Sequence, residues 1–226
     1  MANPENRGAK PVRHSREDVV AAALGILDQY GLADLTMRRL GATLDVQPSA
    51  LYWHFANKQT LLASIADRIV ERARPVLRTE DDWTGAGWTA TGWQGATRAD
   101  AYALRDALLA FRDGAEVVSS TLALGLGAGL PLTLLSGAIE RGGFDRRTSG
   151  IAAAAVVHFV LGHVSHEQQR LQADSLGVVA EAVSARPETG DSIPEALESF
   201  EFGISLLLAG LELQRRPART SATKPV

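Results

Sequence analysis

The 226-residue chain contains no cysteine. Disulfides, thiolate zinc sites, iron–sulfur clusters and cysteine nucleophiles are therefore excluded. Aromatic residues are sparse, at 6%, and neither sign of charge dominates: 23 Lys and Arg stand against 26 Asp and Glu, a net charge of −3. Bulk charge thus draws the chain neither to nucleic acid nor to a membrane, and any DNA-binding surface has to be a local patch. Strand-like alternation, internal repeats, a Gly-rich phosphate loop and a nucleophile elbow are all missing. Nothing in the sequence supports an enzyme, and no cofactor is expected. Residues 1–14 are polar and lack an apolar core segment, so no secretory signal is expected and the expected compartment is the cytoplasm.

What is present is the balance of a globular chain: 46% hydrophobic and 22% charged residues, enough to bury a sizeable core at this length. One uncharged run, 117–139, is long enough to span a bilayer. However, it carries Gly125, Gly127, Gly129, Pro131 and Gly137 and has no aromatic or basic flanks. It reads as interior segments beside a cavity, with no membrane partner expected.

Helical periodicity fills the rest, and the predicted fold class is all-α. Ser15 suits an N-cap with Glu17 and Asp18 in the first turn, and Gly31 closes that helix. Thr36 caps a second helix with Leu40 and Leu44 inward. Asp45-Val46-Gln47 makes a turn, and Pro48 opens a third helix running to about Phe55. Asn57 caps a fourth helix, stopped by Pro75. Residues 76–95, with Trp83, Trp88 and Trp93, read as a linker with aromatic anchors. Further helices are expected at 93–111, 115–122, 129–141, 148–172 and 193–216.

Residues 36–55 thus form a candidate helix-turn-helix. Leu51 and Phe55, four apart, can face a core, which leaves Ser49, Tyr52, Trp53 and His54 outward beside Lys58. Such side chains suit phosphate and base contacts in a major groove. The plainer alternative for Tyr52 and Trp53 is packing against the fourth helix.

The runs Leu35-Thr36-Met37-Arg38-Arg39-Leu40, Leu51-Tyr52-Trp53-His54-Phe55 and Asn57-Lys58 resemble the TetR family of transcriptional regulators. The resemblance continues through Phe111-Arg112-Asp113-Gly114-Ala115, Gly143-Phe144 and the 157–164 run, covering about 15–172 and more weakly reaching 216. It implies an N-terminal three-helix DNA-binding head and a larger helical domain for ligand binding and dimerisation. The expected divisions are a flexible basic arm (1–14), the head (15–60), the ligand-binding and dimerisation domain (61–216) and a disordered tail (217–226).

Residue by residue, the resemblance implies that Thr36 and Arg38 contact phosphate and a base edge. Gln47, Pro48, Ser49 and Ala50 would face base edges, Tyr52 and His54 would clamp phosphates with Trp53 near the groove, and Lys58 would add a phosphate contact. Arg39 can pair with Asp34 instead and is left out. Arg7, Lys10, Arg13 and His14 give the arm a candidate second reach to DNA, with a disordered end as the alternative.

Tetracycline-binding members of the family hold a drug-bound Mg²⁺ through a His and a Glu and grip the drug through a His, an Asn and a Phe. The corresponding positions here are Val118 and His166 for the metal pair, with Glu167 one residue on, and Arg74, Asp100 and Leu104 for the grip. A valine offers Mg²⁺ nothing. The expectation is instead a small, largely apolar effector held by Arg74, Asp100, Leu104, Val118, Leu122, Leu134, Leu135 and His166. His163, His166 and Glu167 share a helical face and raise a metal alternative, although the spacing is not H-E-x-x-H.

Double-stranded operator DNA, a small-molecule effector and a second copy of the chain are the expected partners. The stripe Phe200, Ile204, Leu207, Leu208 and Leu211 suits a dimer seam or an intramolecular core, and the seam is expected, because a palindrome read by two heads needs them about 34–36 Å apart. The function implied is a ligand-responsive regulator, a repressor by preference. Activation, or regulation without a ligand, is the alternative.

Overall fold

The computed structural model describes residues 14–74, 86–175 and 193–215. Among them all regular structure is helical, in the order α1 (Arg16–Tyr30), α2 (Met37–Thr43), α3 (Pro48–Leu51), α4 (Lys58–Glu71), α5 (Ala86–Leu109), α6 (Gly114–Ala123), α7 (Leu130–Arg141), α8 (Arg146–Ser175) and α9 (Ile193–Leu213).

The caps lie where side-chain chemistry puts them. Ser15 and Asp18 form a reciprocal capping box at α1, and Asn57 and Thr60 form another at α4. The Ser15 backbone and hydroxyl hydrogen bonds hold the Asp18 carboxyl below its ordinary range. Thr36 Oγ1 accepts from the Arg39 N–H at 3.1 Å to start α2. Gly31 ends α1 at φ 84°, a conformation glycine adopts without steric cost. The turn between α2 and α3 folds back tightly, with the Val46 N–H on the Gly41 carbonyl at 2.9 Å. A Cβ on Gly41 would lie 2.9 Å from the Val46 oxygen, so this close approach needs glycine.

Val19, Ala23 and Leu27 of α1 share one core with Leu40, Leu51, Phe55, Leu61 and Ile65. The same core runs on without a break into the body through Ile69, Leu104, Val118, Leu135, Val160 and Ile204. In the body α8 packs on α7, α5, α6 and α9, while α4 enters between head and body and lies chiefly against α6.

Four expectations need correcting. α5 begins at Ala86, so 86–95 is helix rather than linker, with its kink at Gly92 (φ 58°). Trp93 is indeed an anchor, buried edge-on to Phe144 at 5.1 Å. Regular α3 stops at Leu51 and continues to Phe55 only as a tight turn, through His54 N–H to Leu51 O and Phe55 N–H to Leu51 O. Further, α8 extends two residues earlier and three later than 148–172. Finally, Phe200, Ile204 and Leu208 are buried within this chain, so that stripe is mainly intramolecular core, while Leu197, Phe202, Leu206 and Leu213 of α9 are exposed.

The 117–139 run is divided into the end of α6, a loop and most of α7. By length and composition alone, Arg146–Ala173 of α8 could cross a membrane. Its Ala153, Val156, Val157, Val160, Leu161 and Val164 are instead buried inside the protein. Arg7, Lys10, Arg13, Pro75, Trp83 and the 217–226 tail lie outside the described residues.

Candidate nucleic-acid interface and ligand site

The head presents its polar residues on two short elements and the turns around them. Thr36 and Arg38 are exposed at the start of α2. Gln47 caps α3 with Pro48 in its first turn, Ser49 is exposed and Ala50 half-buried. Leu51 and Phe55 are each 1% exposed, whereas Tyr52 is 52% and Trp53 90% exposed. Packing on α4 therefore does not account for Trp53. His54 and Lys58 are half-buried, and Lys58 is the first residue of α4, where the N-terminal dipole adds to its attraction for phosphate.

Arg39 pairs with Asp34 and stacks over Tyr30, 3.7 Å from the ring centroid. It is thereby occupied, as the sequence suggested. His14, last residue of the expected arm, donates from Nε2 to the Leu44 carbonyl at 2.8 Å, which ties the arm's root to the helix-turn-helix. Sequence reasoning passed over Arg16, whose guanidinium lies 4.5 Å over the Phe55 ring and donates to Ser64 Oγ at 2.8 Å. The only available signal was a cation at the first position of a helix, the wrong end for the dipole.

Two carboxylates fix α4 and the head against the rest of the body. Asp67 of α4 accepts from the Ala128 N–H at 2.6 Å, in the loop between α6 and α7. Asp113, at φ 56° before α6, accepts from the Leu32 N–H at 2.8 Å and from Gln172 of α8. Gln168 reinforces the same corner: its amide donates to the Leu108 and Phe111 carbonyls and accepts from the Ala115 N–H.

The expected ligand residues fall into two groups. Asp100, Leu104, Val118 and Leu135 are buried, with Leu122 and Leu134 half-buried. Arg74 and His166 are exposed, and Arg74 pairs with Glu71 at 2.8 Å. Two open clefts lie elsewhere. One, of about 340 Å³ between α1 and α4, includes Arg16, Ser64 and Asp67; the other, of about 250 Å³, includes Arg112, Asp113 and Gln168.

The metal alternative loses its ligands to other bonds. Glu167 takes two hydrogen bonds from Arg105 Nη2, at 2.8 and 2.9 Å, and His163 Nε2 bonds the Ala196 carbonyl at 3.0 Å. Among the described residues no group of three or more His, Asp or Glu is placed to hold a metal.

A helix-turn-helix with outward aromatics, fastened to a helical body through α4 and the Asp113–Leu32 bond, is the build of a DNA-binding regulator. Two family models match: bacterial regulatory proteins of the tetR family over residues 19–65, and the tetracyclin repressor-like C-terminal domain over 88–215. The chain is 33% identical over 217 residues to the class C tetracycline repressor protein of Escherichia coli, covering 88% of this chain and 91% of that protein. The crystal structure of Mycobacterium smegmatis BioQ superposes with a TM-score of 0.74 at 38% identity, covering 90% of this chain and all of that one. BioQ has also been solved with its double-stranded DNA operator, at a TM-score of 0.68 with 88% and 98% of the two chains covered. A single-substitution variant of TetR from Acinetobacter baumannii AYE in complex with minocycline matches at a TM-score of 0.65 and 29% identity, with 91% and 100% covered. The chain belongs to the TetR family. It is a transcription regulator with a DNA-binding head and a ligand-binding domain, not an enzyme.

Proposed function

We propose that the protein is a cytoplasmic, homodimeric repressor that holds a palindromic operator and is released when a small, largely apolar molecule enters its body. The carrying observation is Trp53, 90% exposed beside a half-exposed Tyr52, between two residues buried to 1%. Leaving such aromatics in water runs against burial unless a partner covers them. In this reading Thr36, Arg38, Gln47, Pro48, Ser49, Ala50, Tyr52, Trp53, His54 and Lys58 meet the duplex, and the head (15–60) acts through α4 on the ligand-binding and dimerisation domain (61–216).

The effector reading rests on Asp100, Leu104, Val118, Leu122, Leu134 and Leu135, which are apolar but for one carboxylate. Arg74 and His166 are exposed and stand apart from this buried set. A Mg²⁺-borne drug does not fit, because Val118 supplies no donor where the family's tetracycline-binding members have one. Leu104, Val118 and Leu135 have essentially no exposure, so an effector reaches them by parting α5, α6 and α7. A molecule that binds only the parted state shifts the population toward it, and its differential affinity is what drives release from DNA.

Selection of bound duplexes from a randomised pool tests the reading. An enriched inverted repeat is the expected result; enrichment of nothing by folded dimer overturns it. On the recovered sequence, Arg38→Ala is expected to relax preference at one position per half-site and cost about 1–3 kcal/mol. Lys58→Ala is expected to weaken all sequences alike and lower the salt slope by about one.

A further inference from the structure

We propose that Arg16 is a positioning residue for operator reading, holding the recognition turn at its Phe55 end without touching DNA. Arg16 is the first residue of α1. A cation there opposes the helix dipole, whereas Glu17 and Asp18 beside it complement the dipole. Local helix chemistry therefore does not explain the arginine; its tertiary contacts do. The guanidinium covers the Phe55 ring at 4.5 Å and donates to Ser64 Oγ at 2.8 Å, so one side chain ties together the start of α1, the end of the recognition segment and the second turn of α4.

Phe55 is where that tie acts. Its N–H bonds the Leu51 carbonyl at 3.0 Å, closing the turn that carries Tyr52, Trp53 and His54. Regular α3 has only four residues, too few to hold its own geometry by helical hydrogen bonds. The orientation of the three outward side chains thus depends on how firmly Phe55 is seated. Its ring is buried against the core on one side and covered by Arg16 on another. A planar guanidinium can stack on the ring and reach the serine together, while an ammonium has no plane to stack.

The inference rests on the DNA-binding reading, and the test separates the two. Operator affinity is measured for wild type, Arg16→Ala, Arg16→Lys, Phe55→Leu and the Arg16→Ala/Phe55→Leu double variant, using the duplex enriched by wild type from the random pool. Wild type failing to enrich any duplex defeats the DNA reading itself. If wild type binds, positioning predicts that Arg16→Lys loses affinity nearly as much as Arg16→Ala, on the order of tenfold. The salt slope should stay at the wild-type value, and the double variant should be little worse than Phe55→Leu alone. Base preference should loosen at the positions nearest the recognition turn.

A direct phosphate contact gives the opposite pattern. Lysine would then rescue, alanine would lower the slope by about one, and the two losses would add. That pattern, or no loss in either Arg16 variant, overturns the proposal. Arg16→Lys keeps the charge and the helix, so its result stands even if Arg16→Ala is poorly folded.

Discussion

Arg105 is 8% exposed, with one Nη2 on both oxygens of Glu167 and its guanidinium 5.5 Å from the Phe200 ring centroid. Two charges taken from water together are tolerable because each offsets the other; removing the glutamate leaves Arg105 only the exposed Asp106, 3.7 Å away. Glu167→Ala is expected to destabilise the protein by about 3–5 kcal/mol in urea unfolding, and Glu167→Gln by clearly less, since the amide oxygen still accepts. At this scale the sequence was legible only in part. It showed His163 and Glu167 four apart on one helix face, which raised a metal, but the arginine that claims Glu167 lies 62 residues earlier on α5. No local spacing signals a partner at that distance. Arg39 was easier, since Asp34 is only five residues away.

Capping decides where α1, α2 and α4 begin, and each cap is a side chain within three residues of the backbone N–H it satisfies. Such short-range chemistry is readable from sequence, and those three starts agree with expectation. Element ends and lengths were less legible: α3 is cut short because Tyr52 through His54 form a turn, and α5 starts inside what composition marked as linker. The bond between Asp67 and Ala128 makes α4 an element of both head and body. Ala128 is fully buried at φ 59°, and the Asp67 carboxylate is the acceptor its N–H loses when the side chain is truncated. Asp67→Ala is expected to cost about 1–3 kcal/mol. Hydrogen exchange is the measurement that localises the loss: α4 amides should lose protection while those of α8 keep theirs, because opening is confined to the released element.

At the scale of the whole molecule, an apolar face of α9 stands open among the described residues. Phe202, 66% exposed, stands with Leu206 and Leu213 on the outer side of α9, and Ile151 is exposed on α8. Such residues on adjoining helices are what a second copy would cover. Phe202→Glu combined with Leu206→Glu is expected to give a folded monomer by light scattering. Its affinity for the inverted repeat should fall by about 10²-fold or more, since each head then binds alone. A dimer that survives both charges would move the interface to another face.

What the sequence determined by itself was everything carried by short spacing: the all-α class, the caps, the helix-turn-helix with Leu51 and Phe55 inward, and the family resemblance; that Trp53 stands in water rather than against α4 was decided by the fold. Tertiary structure alone decided which side of α9 is core and which is free. Phe200, Ile204 and Leu208 on one side and Phe202 and Leu206 on the other are equally apolar and equally helical in period. Only the placement of α5 and α8 buries the first set and leaves the second in water. It likewise decided that Asp67 ties α4 to the loop before α7, that Asp113 latches the head to the body and that Arg16 covers Phe55, because those contacts join residues 39 to 81 positions apart, and the fold is what brings them within reach.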